Sequence, residues 1–307
     1  MGHDHTHAHT TNKQILWWSF IIITGYMLVE AIGGILTNSL ALLADAGHML
    51  SDAVSLAIAL LAFQFGEKAA TTTKTFGYKR FEILAAAFNG LTLIAIALYI
   101  LYEAVGRFSN PPNIATTGML IISTIGLLVN VFVAWLMMRG DVEGNVNMRG
   151  AFLHVISDLL GSVGAIAAAL CMIFFGWVWA DAVASMIVAV LVLRSGVSIT
   201  KTAAHILMEG TPHDIDIERI ATLLVAHEAV EAVHDIHLWT ITSGVHAMSG
   251  HIVVAPHLTV AQAEQITEQL THQLVHENIS HVTLQLETAA HTHDTKLLCQ
   301  LQPHEHE

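Results

Sequence analysis

Two short strings hold the residues best suited to chemistry. Residues 48–52 run His-Met-Leu-Ser-Asp and residues 154–158 run His-Val-Ile-Ser-Asp. Each is a His-x-x-x-Asp set inside a long apolar stretch. In a helix, positions i and i+4 share one face and stand about 6 Å apart along the axis. Each stretch can therefore aim one imidazole and one carboxylate at a common point. His48, Asp52, His154 and Asp158 together offer four ligands, the number Zn²⁺ takes in tetrahedral geometry. The same mixed nitrogen and oxygen set suits Co²⁺ or Cd²⁺, whereas Cu(I) favours sulfur and Mg²⁺ or Ca²⁺ an all-oxygen shell. An ionisable residue at mid-bilayer costs on the order of 2.5–3.5 kcal/mol. Four of them in apolar surroundings call for a metal, protons or one another. The blander alternative is two His–Asp hydrogen bonds that only fix helix packing.

The surrounding sequence says what must position them. Of 307 residues, 54% are hydrophobic and 12% charged, against about 25% charged in ordinary soluble domains. Six apolar stretches are long enough to cross a bilayer, which takes roughly 20 helical residues. They lie near Leu16–Leu36, Leu40–Phe65, Ile83–Val105, Met119–Met138, Ala151–Phe175 and Ala180–Thr200. Basic residues gather between the second and third (Lys68, Lys74, Lys79, Arg80), between the fourth and fifth (Arg139, Arg149), and after the sixth (Lys201). By the positive-inside rule both termini are expected in the cytoplasm. The N-terminus lacks the pattern of a cleavable signal peptide.

After Gly210-Thr211-Pro212 hydrophobicity falls. Helix at Ile215–His227, strands at Val233–Thr242 and Val245–Val254, helix at Val260–His276 and strand at His281–Glu287 are expected from periodicity and from the Ser243-Gly244 turn. This α-β-β-α-β order predicts a small α+β, ferredoxin-like or metallochaperone-like domain. The expected organisation is thus a His-rich tail at 1–14, a six-helix transmembrane domain at 15–208, a cytoplasmic domain at 209–288 and a polar tail at 289–307. Residues from 209 onward include 14 acidic and 2 basic side chains, a net of −12. That argues against nucleic acid as a partner. Cys171 and Cys299 fall in unlike contexts and predict neither a disulfide nor a thiolate zinc site.

The strings SLALLADAGHMLSDAVSL (39–56), FGYKRFE (76–82), HVISDLLGSVGAI (154–166), LMEGTP (207–212) and VHDIHLW (233–239) together resemble the cation diffusion facilitator family, particularly its bacterial zinc exporters. The resemblance covers nearly the whole chain. It implies a homodimer in the inner (plasma) membrane that exports Zn²⁺ in exchange for protons by alternating access, without an organic cofactor. It also implies that His48, Asp52, His154 and Asp158 are the transport ligands. In the cytoplasmic domain it maps a further zinc site, regulatory in role, onto His234, His251 and Glu287, with His281 able to share the face of Glu287. Gln285 and Glu264 stand where some members carry histidine, and the loop after the second span lacks the His and Asp of another family site.

Two competing classes follow from the same residues. A zinc enzyme normally keeps one coordination position open, and no His-Glu-x-x-His string is present; an enzyme is not expected. A membrane-bound zinc sensor or scaffold without transport is the alternative. The alternating tail histidines (His3, His5, His7, His9, His291, His293, His304, His306) can bind zinc loosely or be dispensable. Asp45 can support His48 from three residues before it, and Glu30 can line a water path or bond helix to helix.

Overall fold

The computed structural model describes residues 4–50, 53–54, 70–138, 146–290 and 296–298; side chains at 4–16, 146–154 and 156–157 lie outside that description. The chain divides into two compact units, one drawn from residues 1–61 and 85–200, the other from 62–84 and 201–307.

The first unit is helical. Its elements are α1 (Asp4–Thr37), α2 (Leu40–Leu50), α3 (Phe81–Ser109), α4 (Thr116–Met137), α5 (Val146–Phe175) and α6 (Ala180–Leu207). Among the described residues, five helices are long and apolar enough to cross a membrane, and α2 is a shorter apolar helix. Their outward faces carry large apolar side chains such as Ile32, Leu36, Phe88, Tyr102, Leu128 and Leu160, all exposed. Water would not tolerate so much apolar surface on five helices, and the chain is a multi-pass membrane protein. The expected second span, Leu40–Phe65, is described only through Leu50 and at residues 53–54; the rest lies outside the described residues.

α1 begins at Asp4, within the His-rich stretch expected as a tail at 1–14. No glycine or proline intervenes between Asp4 and Gly25, so a helix nucleated in the apolar span extends outward at little cost. α5 likewise starts at Val146 and α6 runs on to Leu207.

Small residues let the helices close. Ala41 and Leu42 of α2 pack with Ala165, Ala168 and Ala169 of α5. Ala165 and Ala168 of α5 are buried, while Gly164 faces open space. The Tyr26 hydroxyl of α1 donates to the Ile122 carbonyl of α4 at 2.8 Å. A Cβ on Gly126 would stand 2.3 Å from that hydroxyl oxygen, so only glycine admits the ring.

The second unit contains α7 (Ile217–Val225), β1 (Val230–Thr242), β2 (Val245–Val254), α8 (Val260–His276) and β3 (Ile279–Glu287). The sheet order is β1-β2-β3, with β1–β2 antiparallel and β2–β3 parallel across α8. The elements follow the expected α-β-β-α-β order of an α+β domain. α7 starts at Ile217 because the Asp216 side chain accepts from the backbone N–H groups of Glu218 and Arg219, an N-cap. Thr259 and Gln262 form a capping box that starts α8. Ile220 and Leu224, then Ile266, Leu270 and Leu274, recur at helical spacing and meet Ile236, Leu238, Met248 and Ile252 of the sheet in one core.

The segment at 70–84 also belongs to this unit. The hydroxyls of Thr242 and Ser243, at the β1–β2 turn, both donate to the Glu82 carboxylate. Phe76 meets His281 edge-on with ring centroids 5.4 Å apart. Arg80 pairs with Glu209 at 3.2 Å.

Candidate metal centres

The first centre arises where α2 meets α5. The Ala41–Ala165 seam brings the helices close, and His48 Nε2 stands 3.8 Å from Asp158 Oδ1. Asp158 is 1% exposed, whereas the His48 side chain is 24% exposed. His48 therefore reaches open space while its carboxylate neighbour stays buried. Asp52 lies outside the described residues. His154 sits on α5 one turn before Asp158, and its side chain is outside the description.

Two further carboxylates crowd this centre. Asp45, one turn before His48, is 2% exposed, and Glu30 of α1 is fully buried. Like charges on these carboxylates would repel one another and that of Asp158. The Tyr26 hydroxyl oxygen also lies 3.4 Å from Glu30 Oε1. A Cβ on Gly161, three residues after Asp158, would fall 2.3 Å from Asp45 Oδ1. Glycine at 161 is what lets the Asp45 carboxylate lie against α5. Three buried acids in a low-dielectric setting need protons or a cation to offset their mutual repulsion. A cavity of about 920 Å³, bordered mostly by α5 and α6, reaches Asp45 and His48. It supplies room for water and an ion beside the imidazole.

The second centre lies on the sheet of the C-terminal unit. His234 of β1 faces His251 of β2 across the antiparallel ladder. Glu287 ends β3 and sits in register with Val253, two residues beyond His251. Side chains at i and i+2 of a strand share a face, so the three converge. His234 Nε2 is 3.0 Å from Glu287 Oε1, and His251 Nδ1 is 2.9 Å from Glu287 Oε2. One ligand atom from each residue lies within 4.8 Å of the others. His234 and Glu287 are 5% and 8% exposed. Two imidazoles and a carboxylate are a fitting donor set for zinc.

Asp235, not among the expected ligands, also borders this cluster. Its carboxylate lies 3.7 Å from His251 Nε2 and 2.9 Å from His237 Nε2. The ladder slips between His234 and His237, and Asp235 takes φ 51°. The displaced N–H groups of Asp235 and Ile236 donate to Lys296 and Leu297. The bulge sets the Asp235 carboxylate beside the Nε2 edge of His251, opposite the nitrogen that faces Glu287. Aspartate between two histidines in VHDIHLW was the available signal.

His281 does not join the cluster. It is exposed, pairs in register with Ala247 and contacts Phe76. Strand alternation puts it on the face of Glu287, but six residues of strand separate them by about 20 Å. His3, His291, His293, His304 and His306 lie outside the described residues, as do the side chains of His5, His7 and His9.

Comparison with known proteins gives concordant matches. Residues 16–208 match the cation efflux transmembrane domain and residues 212–289 the cytoplasmic domain of cation efflux proteins. A Bacillus velezensis protein named cadmium, cobalt and zinc/H(+)-K(+) antiporter is 59% identical over 98% of this chain and 97% of its own. The metal cation efflux system protein CzcD of Cupriavidus metallidurans is 39% identical over 94% of this chain and 91% of its own. The zinc transporter ZitB of Escherichia coli is 40% identical over 92% of each.

Proposed function

The chain belongs to the cation efflux family, and from that premise we propose that it exports Zn²⁺, and with it Cd²⁺ or Co²⁺, in exchange for protons. The observation that carries this reading is the approach of His48 to buried Asp158 across two helices, beside the carboxylate of Asp45. Asp52 and His154 complete the ligand set in this proposal. Metal binds when the imidazoles are neutral and the carboxylates ionised, so protons compete for the same atoms. Lower pH on the release side therefore weakens the site and ejects the ion. Rocking of helices about a fixed centre supplies alternating access. Four ligands close the metal's coordination and favour carriage over catalysis.

The finer setting is also our reading. The protein sits in the inner (plasma) membrane as a homodimer, with both termini in the cytoplasm, as the distribution of basic residues favours. In everted membrane vesicles, Zn²⁺ uptake should collapse when an uncoupler dissipates the proton gradient. Unchanged uptake overturns exchange, and no uptake by folded protein favours a sensor or scaffold.

The His234–His251–Glu287 cluster fits a regulatory zinc. A cation there offsets part of the −12 charge of residues 209–307. Replacing His234 and His251 together by Ala should raise the Zn²⁺ concentration for half-maximal transport roughly tenfold. An unaltered half-maximal concentration removes the regulatory role.

A further inference from the structure

We propose that His272 and His276, on the exposed face of α8, form a separate, rapidly exchanging divalent-metal site in the C-terminal unit. α8 turns Ile266, Leu270 and Leu274 toward the core. Another line of the helix carries Glu264, Glu268, His272 and His276, each four residues after the last and all exposed. The two imidazoles meet in an edge-to-face contact, ring centroids 4.8 Å apart and planes at 74°. Two histidines at i and i+4 of a helix can hold one metal ion between them, because the turn already sets their separation. Both rings are exposed and outside the core, so each can change rotamer to face a shared ion.

The electrostatic setting favours a cation. α8 contains no Lys or Arg. Arg219 of α7 shares a surface hollow with His276 and Glu277. Both Glu277 carboxylate oxygens hold its guanidinium, at 2.7 and 2.8 Å. That positive charge is therefore offset where the metal would bind. His276 also ends α8, where the negative end of the helix dipole favours positive charge.

Two imidazole nitrogens with water in the remaining positions suit first-row divalent ions, Cu²⁺ above Zn²⁺ and Co²⁺. Such a site binds more weakly than His234, His251 and Glu287 together, and it exchanges its ion freely with solvent. It is independent of the transport reading, since only binding is claimed. The ordinary alternative is a solvated helix face with two unconnected histidines.

The test is carbethoxylation of the full-length protein in detergent, read residue by residue by peptide mass spectrometry during a Zn²⁺ titration. His272 and His276 should gain protection together, at one midpoint. His272→Ala should raise the midpoint at His276 by roughly tenfold or more, as a two-point chelate becomes a single ligand. Protection of His234 should not move, which confirms that the variant is folded. His276→Gln, read at His272, should give the mirror result. Protection of His276 at an unchanged midpoint in His272→Ala overturns the proposal. So does failure of either residue to be protected at millimolar Zn²⁺.

Discussion

Asp158→Asn should reduce Zn²⁺ uptake into proteoliposomes by more than about a hundredfold, the upper range for disturbing even an outer partner of a metal ligand. The purified variant should nevertheless be at least as heat-stable as the parent in EDTA. These two results belong together because of where Asp158 sits. It is buried on α5, 3.8 Å from His48, in a centre that also holds the buried carboxylates of Asp45 and Glu30. Without metal, the neutral amide removes a repulsive charge and keeps the side-chain volume. With metal, it removes an anionic ligand and a competing proton acceptor at once. A residue that served only to pack α2 against α5 would behave differently, losing stability while transport per folded molecule persisted. Uptake equal to the parent's would overturn the assignment, as would heat stability that falls in step with uptake.

Local pattern was enough for part of this architecture. The helical spacing put each histidine and its aspartate on one helix face, and of those four residues the described side chains His48 and Asp158 approach each other. α8 keeps its expected bounds, Val260–His276, because the Thr259–Gln262 box marks its start and Ile266, Leu270 and Leu274 mark its buried stripe. β2 keeps Val245–Val254 because Gly244, at φ 71°, makes the turn before it. What escaped depends on residues distant in sequence. Asp235 reaches His251 only because residues 296–297 take up the hydrogen bonds of the bulge. The Asp45 carboxylate abuts α5 only because Gly161, more than a hundred positions away, has no side chain. Glu82 caps the β1–β2 turn across some 160 residues. Periodicity assigns a residue to a face and leaves open which partner meets it there, which is also why His281 seemed to share a site it does not join.

Asp181 should prove as important to the frame as Asp158 is to the ion. It is fully buried at the start of α6. Oδ1 accepts from the Ser39 hydroxyl at 2.6 Å and from the Ala41 N–H at 3.2 Å, while Oδ2 accepts from the Leu40 N–H at 2.9 Å. One carboxylate from α6 thus caps the first turn of α2, where the helix dipole favours negative charge. It also faces Arg107 of α3 at 3.4 Å. That guanidinium, 8% exposed, further donates to the Asn38 carbonyl at 2.7 Å and bonds Glu103. Asp181→Ala takes one of two carboxylates from the buried guanidinium, which keeps Glu103 and the Asn38 carbonyl, and removes the acceptor for the Leu40 and Ala41 N–H groups, a cap loss of roughly 0.5–2 kcal/mol. Asp181→Asn keeps an oxygen for the cap and loses the charge. The midpoint of thermal unfolding in detergent should therefore fall in the order Asp, Asn, Ala. Transport should follow the same order, because α2 carries His48 two turns further on. If Asp181 instead held the ion, Asn would be as inactive as Ala at an unchanged midpoint. That pattern would move this residue from the frame to the site.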